Sequence, residues 1–226
     1  DVLMQKMQPA QTIHFKKRET LDDLIQNRMA RLTDYQNSAY AERYRVFVER
    51  VKTAEATLGK TLLSETVARQ LYKLMAYKDE YEVARLHTQS GFLTRIQDSF
   101  EGDFKVHYHL APPLIARKNA KGELIKQKIG PVMLTGFKLL AKFKFVRGSV
   151  FDILGRTEER QTERALIREY KNSLSVILGQ LNADNHALAV DVARIPEQIK
   201  GFGHVKARNL KAARVQWSAL MAKFVA

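Results

Sequence analysis

The stretch TEERQTERALIREYKNSLSVILGQL, residues 157–181, gives the first indication of the fold class. Its large apolar residues recur every three or four positions, which is the spacing of one face of an α-helix. These residues are Leu166, Tyr170, Leu174, Ile177 and Leu181. Thr157 is a typical N-cap residue, and the negative charges of the two glutamates after it are favourable at the positive end of the helix dipole. The stretch therefore predicts a long helix with one buried side.

Similar spacing elsewhere predicts further helices. Their expected positions are from the Thr20 cap onward, from about Ser38, from near Ser64 to about Thr88, and over 131–146, 184–194 and 206–224. Between them, FKVHYHLAPP (104–113) alternates apolar and polar residues with the period of a half-buried strand, and a turn signal follows at Asn119 to Gly122. We predict a mainly α, multi-helix domain over residues 19–226, with a short β-ribbon around residues 104–128, after an irregular lead at 1–18.

Composition narrows the functional classes. The chain has 226 residues and no cysteine, which excludes disulfides, thiolate nucleophiles and cysteine-held zinc or iron–sulfur sites within it. No apolar run approaches the roughly 20 residues of a membrane span, and no signal peptide is visible. We therefore expect a cytoplasmic protein that makes no membrane contact.

The positive charge is concentrated in one half of the chain. Residues 1–109 carry 17 Lys and Arg against 15 Asp and Glu, whereas residues 110–226 carry 21 against 9. A basic half implies an acidic partner, such as nucleic acid, a phosphorylated ligand or an acidic protein. Charge alone does not choose among these partners.

The segment LMAYKDEYEVARLH (74–87) places charges among apolar residues of a predicted helix. The candidate group consists of four of these charged residues, Lys78, Asp79, Glu82 and Arg85. Glu82 and Arg85 are three positions apart and can form an ion pair on one helix face. The group is either an acid–base or ligand-binding patch or a semi-buried ion network that fixes helix packing. Because nothing nearby marks a nucleophile, we favour the ion network.

His107 and His109 lie two positions apart on the predicted strand and therefore point to the same side. Two imidazoles can share a metal, but a site needs at least one further ligand, and no Asp or Glu occupies the matching register. We predict no metal site and interpret the pair as polar lining of the ribbon.

Two basic stripes could contact phosphate or an acidic protein. One consists of Arg160, Arg164, Arg168 and Lys171, which the apolar pattern places roughly opposite the buried side of the same helix. The other consists of Lys138, Lys142 and the run KFKFVRG (142–148). Solvated faces are the alternative interpretation, and no recognised nucleic-acid motif accompanies either stripe. We treat the first stripe as a candidate docking face.

The stretch IKGFGHVKARN (199–209) could hold an anion near a helix start. The candidate residues are Gly201, Gly203, His204, Lys206 and Arg208. The preceding strand and third glycine of a dinucleotide fingerprint are missing, and so is the Gly-Lys-Ser/Thr of a P-loop. A hinge between two helices, with Gly201 in the left-handed conformation that ends a helix, is the favoured interpretation.

Five strings together resemble the C-terminal region of the fused-subunit indolepyruvate ferredoxin oxidoreductases. They are LTDYQNSAYAERY (32–44), LYKLMAYKDEYEVARL (71–86), HLAPPLIA (109–116), FDILGRTEERQTERALI (151–167) and PEQIKGFGHVKARN (196–209). The resemblance covers nearly the whole chain from about residue 20 onward.

The resemblance implies a parent enzyme that decarboxylates an aryl 2-oxoacid with thiamine diphosphate and Mg. Such enzymes pass electrons through 4Fe–4S clusters to ferredoxin and transfer the acyl group to coenzyme A. Those modules precede this region in the family, which agrees with a chain free of cysteine. The implied segment carries no catalytic residue and no cofactor of its own.

The resemblance leaves the segment's role open between packing and docking. It could pack on the catalytic domains of the same polypeptide or build a homodimer. Its basic half could instead dock ferredoxin or hold the coenzyme A phosphates. A stand-alone basic helical protein that binds nucleic acid is the alternative from another class.

Overall fold

A computed structural model describes residues 19–89, 91–102, 105–110 and 127–226. The predicted irregular lead at 1–18 and the predicted turn at Asn119 to Gly122 lie outside these ranges. The described residues form nine α-helices and one two-stranded ribbon, which confirms a mainly α domain with a short β-ribbon. None of these helices combines the length and apolar character needed to cross a membrane.

The elements follow one another in this order. The first half contains α1 (Leu21–Tyr35), α2 (Ser38–Ala56), α3 (Leu62–Met75), α4 (Glu80–Gln89), α5 (Phe92–Gln97) and β1 (Tyr108–Leu110). The second half contains β2 (Gln127–Ile129), α6 (Met133–Lys142), α7 (Glu158–Gln180), α8 (His186–Arg194) and α9 (Gly203–Val225). Short 3-10 turns lie at Phe143–Val146, Leu154–Arg156 and Ile195–Gln198.

Two predicted helix caps are present. The Thr20 hydroxyl accepts from the Asp23 amide at 3.1 Å, and the Asp23 carboxylate accepts from the Thr20 amide at 3.1 Å. This reciprocal capping box satisfies two donors that a bare helix start would leave without partners. The Thr157 hydroxyl accepts from the Arg160 amide at 3.4 Å at the start of α7. Both helices therefore begin where their sequences predict.

The main core joins α1, α2, α3, α7, α8 and α9 around aliphatic and aromatic side chains. Tyr44 and Tyr170 are fully buried within it, and each hydroxyl donates to a backbone carbonyl at 2.9 Å. Those acceptors are Ala68 of α3 and Ala193 of α8. Since an unsatisfied buried hydroxyl is costly, these bonds fix which turns the helices present to each other.

A second, smaller core lies between α4, α6 and β1. Its buried members are Ala84, Tyr108, Phe137 and Ala141. The His87 ring lies parallel to the Phe137 ring with 5.2 Å between their centres, and Tyr108 meets both rings edge-on. The strand that supplies Tyr108 pairs antiparallel with β2, with Tyr108 opposite Ile129. The ribbon therefore packs on α4 and α6 through one aromatic residue.

The predicted single helix from Ser64 to Thr88 is wrong, because the structure breaks it between Met75 and Glu80. Tyr77 and Asp79 in the break are buried, and the Asp79 carboxylate accepts from the Glu82 amide at 2.8 Å. Asp79 therefore caps a new helix instead of continuing the old one.

Further helix bounds also differ from the prediction, and α8 begins at His186 rather than at residue 184. The predicted helix over 131–146 is a shorter α6 followed by the 3-10 turn at Phe143–Val146, and α9 begins at Gly203 rather than at residue 206.

Candidate functional site

Arg147 is the centre of a densely bonded polar site. Its side chain is buried and binds Asp79 through two hydrogen bonds, from Nε at 2.5 Å and from Nη2 at 2.8 Å. Nη1 donates to the Tyr35 carbonyl at 2.5 Å, and the guanidinium lies over the Tyr35 ring at 3.7 Å from its centre. One side chain thereby ties the end of α1 to the break before α4 and to the turn after α6.

Asp152 forms the second half of this site. Its buried carboxylate accepts from the Gly148 amide at 2.7 Å, the Gly155 amide at 2.8 Å and the Tyr81 hydroxyl at 3.1 Å. The carboxylate thus closes the loop between α6 and α7 on itself and joins it to α4. The site is named here the Arg147 cluster. Its members are Tyr35, Asp79, Tyr81, Arg147 and Asp152.

The electrostatics of the Arg147 cluster suit a fixed tie. Burial alone would lower the pKa of Arg147, but the hydrogen bonds with Asp79 raise it above its ordinary value. Burial and then the charge of Asp79 raise the pKa of Tyr35, and burial with Asp152 raises the pKa of Tyr81. Both tyrosines therefore stay protonated and Arg147 stays charged at neutral pH. Groups of this kind do not exchange protons in general acid–base catalysis near neutral pH.

The predicted group of Lys78, Asp79, Glu82 and Arg85 divides between two sites. Glu82 and Arg85 form the predicted pair, with two hydrogen bonds of 2.8 Å each. Asp79 turns to Arg147, which is 68 residues away in the sequence. Lys78 is exposed and takes no part in either contact. The arrangement agrees with an ion network that fixes helix packing.

The stripe of Arg160, Arg164, Arg168 and Lys171 is not one exposed face. Arg160 is buried, and its Nη2 lies 3.2 Å from the Glu80 carboxylate. Arg164 donates to the Gly155 carbonyl at 2.5 Å. Lys171 is half-buried over the Phe47 ring, and burial lowers its pKa. Only Arg168 of the four is exposed, because the buried side of α7 is wide enough to include Arg160.

The candidate anion site at 199–209 is a hinge with a paired lysine. Gly201 and Gly203 have φ values of 97° and 54°, and the exposed Phe202 stands between them. Lys206 forms an ion pair with the buried Glu163 of α7, so its charge is already neutralised. His204 and Arg208 are exposed at the start of α9. The groove of about 660 Å³ beside this hinge is lined by Glu158, Glu159 and Glu163 and by Lys206, Lys211 and Arg214, so its acidic and basic side chains are equal in number.

The histidine pair stays on the surface of the ribbon. His107 and His109 are exposed on either side of the buried Tyr108. Across the described ranges, no three His, Asp or Glu side chains come together in a way that could hold a metal ion. The pair therefore has no third ligand among those residues.

Sequence reasoning missed a buried Ser–Glu–His contact. Glu55 is completely buried, and its carboxylate accepts from the amides of Leu63 and Ser64 at 2.7 Å each and from the Ser64 hydroxyl at 2.5 Å. Its other contact is His186 Nε2 at 2.6 Å. In a catalytic triad the histidine lies between the nucleophile and the acid, whereas here the acid is central. Glu55 is a helix cap that also ties α2 to α8.

An exposed apolar surface lies in and beside the loop that the Arg147 cluster closes. The large apolar side chains on it are Val132, Leu139, Phe143, Phe145, Val150, Phe151 and Ile153. The exposed charges in the same range, Lys138, Lys142 and Arg156, are all positive, because the single acid, Asp152, is buried. The name 132–156 surface is used for these exposed side chains. The run KFKFVRG indicated its basic and aromatic character but not its exposure.

The family comparison agrees with the extent of the described fold. A family model described as "Family of unknown function (DUF6537)" matches residues 21–219. No curated protein and no solved structure matches the chain.

Proposed function

We propose the following function for this chain, which belongs to the DUF6537 family, a family of unknown function. The chain is a non-catalytic C-terminal domain of a thiamine-diphosphate-dependent indolepyruvate, or aryl 2-oxoacid, ferredoxin oxidoreductase. Its role is to pack against the catalytic domains of that enzyme and to hold them in place. The support comes from the five resembling strings and from what their residues contact.

The observation that carries the proposal is that the resembling strings bind one another. Strings 32–44 and 71–86 meet where the Tyr35 hydroxyl donates to the Tyr77 carbonyl at 3.1 Å and the Tyr40 hydroxyl to the Met75 carbonyl at 3.0 Å. Residues so engaged specify a fold rather than receive a substrate.

The other described strings are joined in the same way. String 71–86 meets 151–167 through Tyr81 with Asp152 and through Glu80 with Arg160. String 151–167 meets 196–209 through Glu163 and Lys206. The residues that carry the resemblance thus build the domain, which favours a packing role over a catalytic one.

In this proposal, the cofactors of the enzyme are held outside this chain. A 4Fe–4S cluster needs thiolate ligands, and the chain has no cysteine. The groove beside α9 is lined by three glutamates and by Lys206, Lys211 and Arg214, and both Lys206 and Arg214 are already paired with glutamates of α7. We propose that thiamine diphosphate, Mg, the clusters and coenzyme A are held by the other domains of the enzyme.

Isolation of the native enzyme tests the proposal. The chain is tagged in its own source and purified without denaturation, and the product is assayed for thiamine diphosphate, iron and indolepyruvate-dependent reduction of ferredoxin. We expect all three in the purified material. A pure, stable product without thiamine and iron contradicts the proposal, and a gel shift with generic DNA and RNA then tests the nucleic-acid alternative.

Kinetics in the intact enzyme separate packing from docking. Arg160→Met removes the partner of Glu80 and is expected to lower the melting temperature while kcat and the KM for ferredoxin stay unchanged. Arg168→Met is the exposed control and is expected to change neither property. A several-fold rise of the KM for ferredoxin with either variant would support docking through the stripe instead. Lys206→Ala likewise leaves the KM for coenzyme A unchanged if the domain does not hold that ligand.

A further inference from the structure

The 132–156 surface exposes several large apolar side chains to solvent. Val132 is 83% exposed, Val150 and Phe151 are each 77% exposed, and Phe145 is 65% exposed. The rings of Phe143 and Phe145 also face each other with 6.0 Å between their centres. An exposed apolar patch formed by several large side chains often marks an interaction site.

Buried charges hold this surface in one shape. The Ser149 amide donates to the Val146 carbonyl at 2.9 Å, and the Asp152 amide donates to the Ser149 carbonyl at 3.1 Å. The buried side chains of Arg147 and Asp152 fix these two turns to the segment that contains Asp79 and Tyr81. Burying an arginine and an aspartate is costly, and here it orders a segment that exposes Val150, Phe151 and Ile153. A surface that is ordered in advance loses less conformational entropy when a partner binds.

The charge of the 132–156 surface selects among partners. Lys138, Lys142 and Arg156 are its only exposed charges, so two copies of the surface would repel each other. Residues 1–18 and 111–126 each carry more Lys and Arg than Asp and Glu, so they match the surface poorly as well. Fixed turns that carry aromatic side chains suit a folded protein partner. In protein interfaces, a few aromatic residues in well-packed pockets carry most of the binding energy.

We propose that the 132–156 surface docks on a protein surface with an apolar centre and an acidic rim, carried by the catalytic domains of the enzyme. Phe145 and Phe151 enter the apolar centre, and Lys138 and Lys142 face the acidic rim. This inference rests on the proposed function, since that function supplies the partner domains.

Crosslinking in the intact enzyme tests the docking surface. The photoreactive residue benzoylphenylalanine replaces Phe145, Phe151 or Phe202 in separate preparations. Phe202 is the matched control, because it is 73% exposed and belongs to the hinge before α9. We expect crosslinks from positions 145 and 151 to peptides of the catalytic domains that contain several Asp or Glu, and a much lower yield from position 202. The double variant Lys138→Glu, Lys142→Glu lowers the yield from position 145.

The outcomes separate the surface from the function. If the enzyme contains thiamine diphosphate and iron but crosslinks arise only from position 202, the docking surface is wrong and the proposed function stands. Crosslinks from 145 or 151 to the same chain or to a second copy of it also overturn the inference. If the purified material lacks thiamine and iron, both proposals fail.

A lipid partner is tested separately. The 226-residue chain is sedimented with vesicles of equimolar phosphatidylcholine and phosphatidylglycerol, and with vesicles of phosphatidylcholine alone. We expect the wild type and the Phe151→Glu variant to bind the vesicles equally or not at all. Binding that requires both the anionic lipid and Phe151 overturns the assignment of a protein partner.

Discussion

At the residue scale, Arg147 connects segments that lie far apart in the sequence, and no sequence pattern near it predicts these contacts. Its guanidinium binds a side chain of the α3–α4 break and a backbone carbonyl of α1, and it belongs to neither helix. Replacing it removes the partner of Asp79, which is itself buried. The stability of three segments therefore depends on one side chain.

Arg147→Met is expected to lower the free energy of unfolding by about 3–5 kcal/mol, the cost typical of leaving a buried charge unpaired. Arg168→Met is the matched control, because Arg168 is exposed on α7 and a surface change of this kind costs within about 0.5 kcal/mol. Urea unfolding followed by circular dichroism measures both variants. Equal losses in the two variants would show that the Arg147 cluster is not a structural tie.

Glu55 makes the stability of the domain depend on pH. Burial alone would raise the pKa of Glu55, but the hydrogen bonds from Ser64, His186 and the Leu63 amide lower it below its ordinary value. A depressed carboxyl pKa contributes stability above the ordinary glutamate pKa of about 4.3, and that stability is lost as the pH falls through the folded-state value. We therefore expect wild-type stability to fall more steeply on acidification than that of Glu55→Gln.

Urea unfolding at successive pH values from neutral to acid measures this difference. Glu158→Gln is the control, because Glu158 is exposed at the start of α7 and its loss is expected to leave the pH profile of the wild type. A Glu55→Gln profile that runs parallel to the wild-type profile would contradict the assignment.

The polar contacts that sequence could predict are the local ones. The pair of Glu82 and Arg85 lies three residues apart, and helix geometry alone brings the two side chains together. Asp79 and Arg147 are 68 residues apart, and Glu55 and His186 are 131 apart. No periodic pattern links such residues, so their contacts follow only from the tertiary fold. The same limit explains why Arg160 was placed on the wrong side of α7.

At the element scale, the helices that sequence predicts best have a cap and one clear apolar face. The helices α1 and α7 begin directly after Thr20 and Thr157, as these capping residues indicate. The break between α3 and α4 was missed because Ala76 to Asp79 contains neither Gly nor Pro. In the break, Asp79 binds Arg147 from another element, and a tertiary contact of this kind can override local helix propensity.

The hinge before α9 has two glycines with different requirements. A Cβ atom at Gly201 would lie 2.7 Å from Val205 Cγ1, whereas nothing lies within 4 Å of one at Gly203. Both have positive φ, so alanine at either site costs about 1–2 kcal/mol from backbone strain. We expect Gly201→Ala to cost more than Gly203→Ala, because the contact with Val205 adds to the strain.

A double-mutant cycle with Val205→Ala measures the added cost of that contact. We expect Val205→Ala to relieve part of the loss caused by Gly201→Ala and none of the loss caused by Gly203→Ala. Equal stability of the two alanine variants would show that α9 adjusts freely at its start.

At the scale of the whole molecule, the domain has two cores of unequal size that the Arg147 cluster joins. The main core draws on six helices, whereas the second is built on Ala84, Tyr108, Phe137 and Ala141. Because local opening follows the amount of buried apolar contact, the two parts differ in their resistance to opening. The 132–156 surface belongs to the part with the smaller core.

Native-state hydrogen exchange tests this difference. Amides of α6 and of the ribbon are expected to exchange through openings of lower free energy than amides of α2, α3 and α7. Arg147→Met is expected to widen the gap, because it removes the tie between the parts. A single opening free energy for all helices would mean that the two cores unfold together.

The break between α3 and α4 also determines where foreign sequence can enter this chain. A loop is usually the first place chosen for a tag or a split site, yet Tyr77 and Asp79 are buried and bonded there. We expect a Gly-Ser insertion after Tyr77 to yield aggregated protein, whereas the same insertion after the exposed Ala183 gives folded protein. Size-exclusion chromatography distinguishes the two results. Foreign sequence should therefore be inserted in exposed turns and not in the buried break between α3 and α4.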